Sequence, residues 1–138
     1  MAAVCQLCCN VDDMTAEEIG FAMDVLLENG ALDVFTTAVG MKKNRPGTMI
    51  TVLCRQEDRE KLVPLIFKHT TTIGIRQSIQ ERFTLDRTFE TRETELGPVR
   101  VKKVSGYGVR REKAEYDDLA RLAREHGKSI AEVRKLVK

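Results

Sequence analysis

The order of strand and helix patterns in the first part of the chain is the feature that most constrains its fold. Short apolar runs with β-branched residues, which indicate strands, are separated by apolar residues at helical spacing. The order reads strand, helix, strand, strand, helix, strand. Two split β-α-β units of this kind form an antiparallel sheet with both helices on one face, the ferredoxin-like arrangement. We therefore predict a ferredoxin-like α+β fold.

Local signals set the predicted boundaries of these elements. Thr15 and Glu18 have the spacing of a capping box at a helix start, and Gly30 supplies the left-handed stop of that helix. A second helix is predicted from residue 57 or 58, and Pro64 inside it predicts a kink or a late start. Strands are predicted over residues 4–11, 31–39 and 48–54, and residues 70–76 lead into the fourth.

Beyond this core the pattern changes to strict alternation. Phe83, Leu85 and Phe89 fall on one face of a predicted long strand, which turns near Gly97 and returns over residues 99–102 as a hairpin. A flexible joint is predicted around Tyr107. Helical patterns follow, the first ending near Gly127 and the second opening at a capping box of Ser129 and Glu132.

We therefore expect a ferredoxin-like, nucleotide-binding core over residues 1–81 and a β-hairpin extension with C-terminal helices over residues 82–138. The two parts are expected to act as one functional unit.

The net charge and the lengths of the apolar runs exclude some classes of binding partner. Lys and Arg total 23 against 21 Asp and Glu, so a formal charge of +2 gives no global field of the kind that dominates binding to long nucleic acids. No apolar run approaches the roughly 20 residues of a membrane span. We expect a cytoplasmic protein that binds neither nucleic acid nor membrane.

A cationic loop lies between the second and third predicted strands. It carries Lys42, Lys43 and Arg45 within four positions, and Pro46 and Gly47 predict a fixed turn beside them. Arg can hold two phosphate oxygens at once, whereas each Lys acts as a point charge. The loop is interpreted as a phosphate site, with a solvated turn as the alternative.

A second candidate phosphate segment follows the second helix. It offers the hydroxyls of Thr70, Thr71 and Thr72, the close backbone approach that Gly74 allows, and the cation Arg76. A β-prone strand entry is the alternative interpretation.

Acidic residues precede the first helix. Asn10, Asp12 and Asp13 cluster there, and the helix dipole alone favours such carboxylates. The competing hypothesis is that Asp12 or Asp13 orients a magnesium or manganese ion that phosphates already hold.

The cysteines suggest structural thiols. On a strand, alternation sends Cys5 and Cys9 to one face and Cys8 to the other, so a shared metal ion is disfavoured. With Cys54 they are interpreted as buried, reduced thiols. A further basic set is interpreted as a solvated rim: Lys102, Lys103, Arg110, Arg111 and Lys113.

Together and in order, these motifs resemble a known family. The matching segments are NVDDMTAEEIGFAMDVLLENGALDVF, MKKNRPGTMITVLC, HTTTIGIR and GPVRVK. They resemble the C-terminal domain of the nickel insertion protein of lactate racemase maturation, which installs nickel in a pyridinium bisthiocarboxylate mononucleotide.

The resemblance implies a CTP-dependent nickel cyclometallase. CTP would be cleaved, CMP attached to the precursor, pyrophosphate released and Ni²⁺ inserted, with Mn²⁺ or Mg²⁺ accompanying the triphosphate. It also implies a homotrimer or hexamer, and an N-terminal domain that this chain lacks. The CQLCC start departs from the family pattern.

Two rival functions remain open. An RNA-recognition fold shares the order of elements, but its stacking aromatics are missing from the first and third predicted strands. A non-catalytic small-molecule sensor or oligomerisation domain of ferredoxin-like fold is the second alternative.

Overall fold

The computed structural model describes residues 2–138 and divides the chain into two compact units, Met1–Phe83 and Thr84–Lys138. No helix in the described part of the chain is both long and apolar enough to cross a membrane.

The first unit has the predicted order of elements. Its strands form one antiparallel sheet in the order β2-β3-β1-β4, and the α+β class is confirmed. Short 3₁₀ turns precede β3 and the second helix. The elements are β1 (Ala2–Val11), α1 (Ala16–Glu28), β2 (Asp33–Met41), β3 (Arg45–Cys54), α2 (Arg59–His69) and β4 (Arg76–Arg82).

The core of the first unit joins one face of the sheet to both helices. Leu7 and Ile50 from the sheet and Leu26, Leu62 and Ile66 from the helices are each at most 1% exposed. Burying a side chain of this size contributes about 1.5–3 kcal/mol. The helices therefore fix the sheet, and with it the positions of the strand ends.

The predicted ends of α1 are confirmed. The Glu18 N–H donates to Thr15 Oγ1 at 3.1 Å, and the Thr15 N–H donates to Glu18 Oε1 at 2.9 Å. Asn29 caps the other end, and Gly30 follows with a φ of +102°. The helix α2 begins at Arg59 and continues through Pro64.

Two predictions at the strand ends are wrong. Pro46 and Gly47 lie inside β3, because their backbones pair with Gly40 and Val39 of β2. The long strand predicted from residue 83 instead begins at Asp86. Residues 70–75 are a loop that leads into β4 at Arg76, as predicted.

The second unit is a three-stranded antiparallel sheet with two helices. The strand order is β5-β6-β7, and Val99 packs with residues of both helices, Leu119, Leu122 and Val133. The elements are β5 (Asp86–Thr94), β6 (Gly97–Gly106), β7 (Val109–Ala114), α3 (Tyr116–His126) and α4 (Ile130–Leu136).

The predicted hairpin therefore lacked the third strand of this sheet, β7. The sequence of β7, VRREKA, has too few apolar residues to show a strand pattern. The predicted joint is a tight turn that joins β6 to β7, with positive φ at Gly106, Tyr107 and Gly108. The helix stop at Gly127 and the capping box at Ser129 are confirmed.

Candidate functional site

Antiparallel pairing brings the predicted site segments to one end of the first sheet. At this end β1 and β2 finish, at Val11 and Met41, and β3 and β4 start, at Arg45 and Arg76. The acid pair, the cationic turn and the threonine loop all adjoin these four strand ends. We call this region the polar end.

An ion pair joins the acid pair to the cationic turn. Arg45 Nη1 lies 3.5 Å from Asp12 Oδ2, with the two side chains 53% and 22% exposed. Solvent screens such a pair, so it contributes at most about 1 kcal/mol to folding. The contact sets the position of the Arg45 guanidinium without burying it.

A hydrogen bond joins the acid pair to the threonine loop. The Thr71 hydroxyl donates to Asp13 Oδ1. Adjacent carboxylates of one loop, Asp12 and Asp13, therefore contact the cationic turn and the threonine loop respectively.

The other two threonines shape the loop. The Thr70 hydroxyl donates to the carbonyl oxygen of Ile66 at 2.7 Å, which closes the end of α2. The Thr72 hydroxyl donates to the Gly74 carbonyl oxygen at 2.8 Å. Of the three predicted hydroxyls, that of Thr71 reaches across to the acid pair.

Arg76 is tied to β1 by a contact that sequence reasoning missed. Its Nη2 donates to Asn10 Oδ1 at 2.9 Å. Asn10 shares a face of β1 with Cys8, whose backbone pairs with that of Arg76. Strand alternation placed Asn10 on that face, but the pairing register was needed to find its partner.

The cationic turn has a strained backbone. Lys43 and Asn44 have φ values of +61° and +57°, a region that costs a residue with a Cβ atom roughly 1–2 kcal/mol. Lys42, Lys43 and Arg45 are exposed. The turn therefore presents its cations to solvent at the cost of local strain.

Gly47 packs closely behind this turn. A Cβ atom there would lie 2.3 Å from Met41 Sδ and 3.0 Å from the carbonyl oxygen of Val11. The close approach of β3 to the end of β1 therefore requires glycine, and it holds Arg45 near the acid pair.

The structure confirms that the cysteines are buried and that Cys8 lies on the face opposite Cys5 and Cys9. Cys5, Cys9 and Cys54 belong to the core, whereas Cys8 lies on the other face, 3.6 Å from the Thr51 hydroxyl. Burial raises the pKa of the Cys9 thiol, although the Thr72 hydroxyl and the Arg76 charge partly oppose that rise. Burial and the Cys5 thiol raise the pKa of Cys54 to about 11.

The polar end has an excess of positive charge. Its segments carry four cations, Lys42, Lys43, Arg45 and Arg76, and the two carboxylates of the acid pair. Within residues 2–138, no cluster of three or more His, Cys, Asp or Glu side chains has the geometry of a metal site. A hard cation would therefore need oxygen ligands from a bound molecule in addition to Asp12 and Asp13.

The fold and the polar end together define a class of protein: an α+β domain that presents cations, hydroxyls and carboxylates at one sheet end. Comparison with known proteins gives the family. The model of the family described as nickel insertion protein matches residues 1–134. The chain belongs to this nickel insertion protein family.

Individual relatives of the chain are also named nickel insertion proteins. The chain is 46% identical over 128 residues to a putative nickel insertion protein of Enterococcus faecalis, covering 93% of this chain and 39% of that protein. It is 46% identical over 122 residues to the pyridinium-3,5-bisthiocarboxylic acid mononucleotide nickel insertion protein of Acetivibrio thermocellus, covering 88% of this chain and 30% of that protein. The chain thus spans well under half the length of these relatives.

A solved structure is similar along almost the whole chain. It is the apo form of LarC2, described as the C-terminal domain of a cyclometallase involved in the synthesis of the NPN cofactor of lactate racemase. The TM-score is 0.89 at 39% identity, and the match covers 97% of this chain and 93% of that one.

Proposed function

We propose that this chain is the CTP- and divalent-metal-binding domain of a nickel insertase. The observation that carries the proposal is the linkage of three distant segments at the polar end. The acid pair contacts Arg45 on one side and Thr71 on the other, and Arg76 bonds to Asn10 beside them. A polyphosphate could bridge the cationic turn and the threonine loop.

The proposed reaction is the one that the resemblance of the sequence motifs implies. In this reaction CMP is transferred from CTP to a pyridinium bisthiocarboxylate mononucleotide and pyrophosphate leaves; the substrate Ni²⁺ is then inserted, with release of CMP and of the ring proton that the carbon–nickel bond replaces, to form the nickel-pincer cofactor. The names of the Acetivibrio relative and of the LarC2 cyclometallase support this reaction class.

The cations would act electrostatically. Lys42, Lys43, Arg45 and Arg76 would neutralise the triphosphate and the charge that develops on departing pyrophosphate. The Thr71 hydroxyl can turn from Asp13 to a phosphate oxygen, and the open space around Gly74 allows backbone approach. Thr70 and Thr72 would contribute indirectly, by holding the loop.

The acid pair fits a divalent cation only together with the nucleotide. Asp12 and Asp13 supply carboxylate oxygens of the kind that Mn²⁺ and Mg²⁺ accept, and triphosphate oxygens would complete the set. In such a complex the carboxylates would exchange their protein partners for the cation, which would release Arg45 and Thr71 to the phosphates.

We also propose that the domain assembles into trimers or hexamers. Ile73, in the middle of the threonine loop, is 99% exposed, and an apolar side chain in that position is suited to a contact with another molecule. Light scattering of the purified chain measures the mass directly, and a monomer at micromolar concentration would contradict this part of the proposal.

A nucleotide screen tests the function. We expect CTP to bind selectively, and more tightly with Mn²⁺ than without it. Equal, weak binding of every nucleoside triphosphate would contradict the proposal and favour the non-catalytic sensor instead.

A further inference from the structure

The sheet of the second unit has two faces that differ sharply in charge pairing. Val99 and Val101 are buried on the face that carries the helices, which we call the inner face. Strand alternation and register place a different set on the opposite, outer face: Arg87, Phe89, Glu93, Arg100, Lys102, Val104, Arg111 and Lys113.

Two of the inner-face cations are neutralised. The guanidinium of Arg92 bonds both carboxylate oxygens of Glu112, at 2.9 and 2.7 Å, and also contacts Glu90. Lys103 donates to Glu90 at 3.1 Å. These pairs neutralise Arg92 and Lys103, whereas Arg110 on the same face makes no ion pair within residues 2–138.

Four outer-face cations have no such partners, whereas Arg100 on the same face pairs with Asp118 of α3. Within residues 2–138, Arg87, Lys102, Arg111 and Lys113 make no ion pair. Lys102 lies directly opposite Lys113, and like charges in that relation destabilise a sheet. The Lys102–Lys113 pair therefore does not stabilise the sheet, and these cations can instead contact an anionic ligand.

An exposed aromatic ring lies among these cations. Phe89 is 56% exposed and is the register partner of Lys102. The Arg87 guanidinium lies 5.8 Å from the centre of the ring. Such an exposed ring can stack against a flat ligand, as aromatic side chains on nucleic-acid-binding sheets do with bases.

We infer that this outer face binds the second substrate, an anionic pyridinium mononucleotide. This inference rests on the proposed function, because that reaction needs an acceptor as well as CTP. A pyridinium bisthiocarboxylate mononucleotide has a flat cationic ring, two thiocarboxylates and a phosphate. Its ring would stack on Phe89 by a cation–π contact, and its anionic groups would pair with Lys102, Arg111 and Lys113.

Neighbouring residues of β7 provide a matched test. Arg111 lies on the outer face and Arg110 on the inner face, so Arg111→Gln and Arg110→Gln remove the same charge from opposite sides. The probe is nicotinic acid mononucleotide, a pyridinium carboxylate mononucleotide, titrated into the full 138-residue chain. Calorimetry gives the affinity, and amide chemical shifts show where the probe binds.

The inference predicts shifts on β5, β6 and β7 and an affinity about tenfold lower in Arg111→Gln, the scale of one lost charged contact. Phe89→Ala should also weaken binding, while Arg110→Gln stays within about twofold of the wild type. Absence of probe binding, equal losses in both arginine variants, or shifts confined to the polar end would overturn it.

The same titrations separate this inference from the proposed function. Lys43→Ala should leave the affinity for the probe unchanged, since Lys43 belongs to the first unit. If the probe binds the outer face but CTP binds nowhere, the proposed function fails and the outer-face site stands. If CTP alone binds, and binds the outer face, the assignment of that face to the acceptor fails.

Discussion

Replacing Asp12 by Asn should strengthen CTP binding when no divalent metal is present. In the folded chain Asp12 holds the Arg45 guanidinium at 3.5 Å, and a triphosphate must displace that carboxylate to use the cation. Asp12→Asn removes the competing charge and its repulsion of the phosphates, while keeping the size of the side chain.

The size of the effect follows from the geometry. At 3.5 Å two unit charges in bulk water attract by about 1.2 kcal/mol, and exposed pairs measured in proteins contribute up to about 1 kcal/mol. An energy of about 1 kcal/mol corresponds to about a fivefold change in affinity. We therefore expect metal-free CTP to bind about fivefold more tightly to Asp12→Asn.

With Mn²⁺ present, Asp12→Asn should instead bind CTP more weakly than the wild type, because the variant has lost a carboxylate ligand for the metal. Calorimetric titration with and without Mn²⁺ measures both affinities. Asp24→Asn, an exposed position on α1, is the matched control and should bind CTP like the wild type. Weaker metal-free binding by Asp12→Asn would show that Asp12 does not compete with the phosphates for Arg45.

Three further predictions concern stability. Gly47→Ala should lower the free energy of unfolding by about 1–3 kcal/mol because of the close contacts behind the cationic turn, whereas Gly40→Ala, with nothing within 4 Å of the new atom, should cost much less in the same urea titration. Thr15→Ala should cost about 1 kcal/mol by removing the cap of α1, and an unchanged urea midpoint would contradict this. The guanidinium of Arg100, with its backbone N–H, holds the pKa of Asp118 below its usual range. That stabilisation is present above the unfolded-state pKa of about 4 and is lost as the pH falls through the lower folded pKa. Asp118→Asn should therefore lower the Tm more at pH 7 than at pH 3, and an equal loss at both pH values would contradict the assignment.

Local signals predicted much of the fold. Both capping boxes lie within four consecutive residues, so Thr15 and Ser129 revealed their helix starts directly. Strand alternation separated Cys8 from Cys5 and Cys9 because it depends on a period of two residues. The strand β7 was missed because it sits at a sheet edge and has a charged sequence that shows no apolar pattern.

The residue types of the candidate site could be predicted from the sequence, but the contacts between them could not. Thr71 bonds to Asp13 across 58 residues, and Arg76 bonds to Asn10 across 66. Such contacts depend on the register of β1 with β3 and β4, which no local pattern determines. The same limit explains the error at Pro46 and Gly47, where pairing with β2 overrides the turn preference of both residues.

Lys43→Ala is the variant that decides whether the cationic turn holds the phosphates of CTP. Calorimetric titration of CTP with Mn²⁺ should show a loss of about 1.5–3 kcal/mol of binding free energy, which is the loss of most of the affinity. Lys61→Ala, on α2 and away from the turn, should bind like the wild type. An unchanged affinity in Lys43→Ala would contradict the claim and place the nucleotide elsewhere.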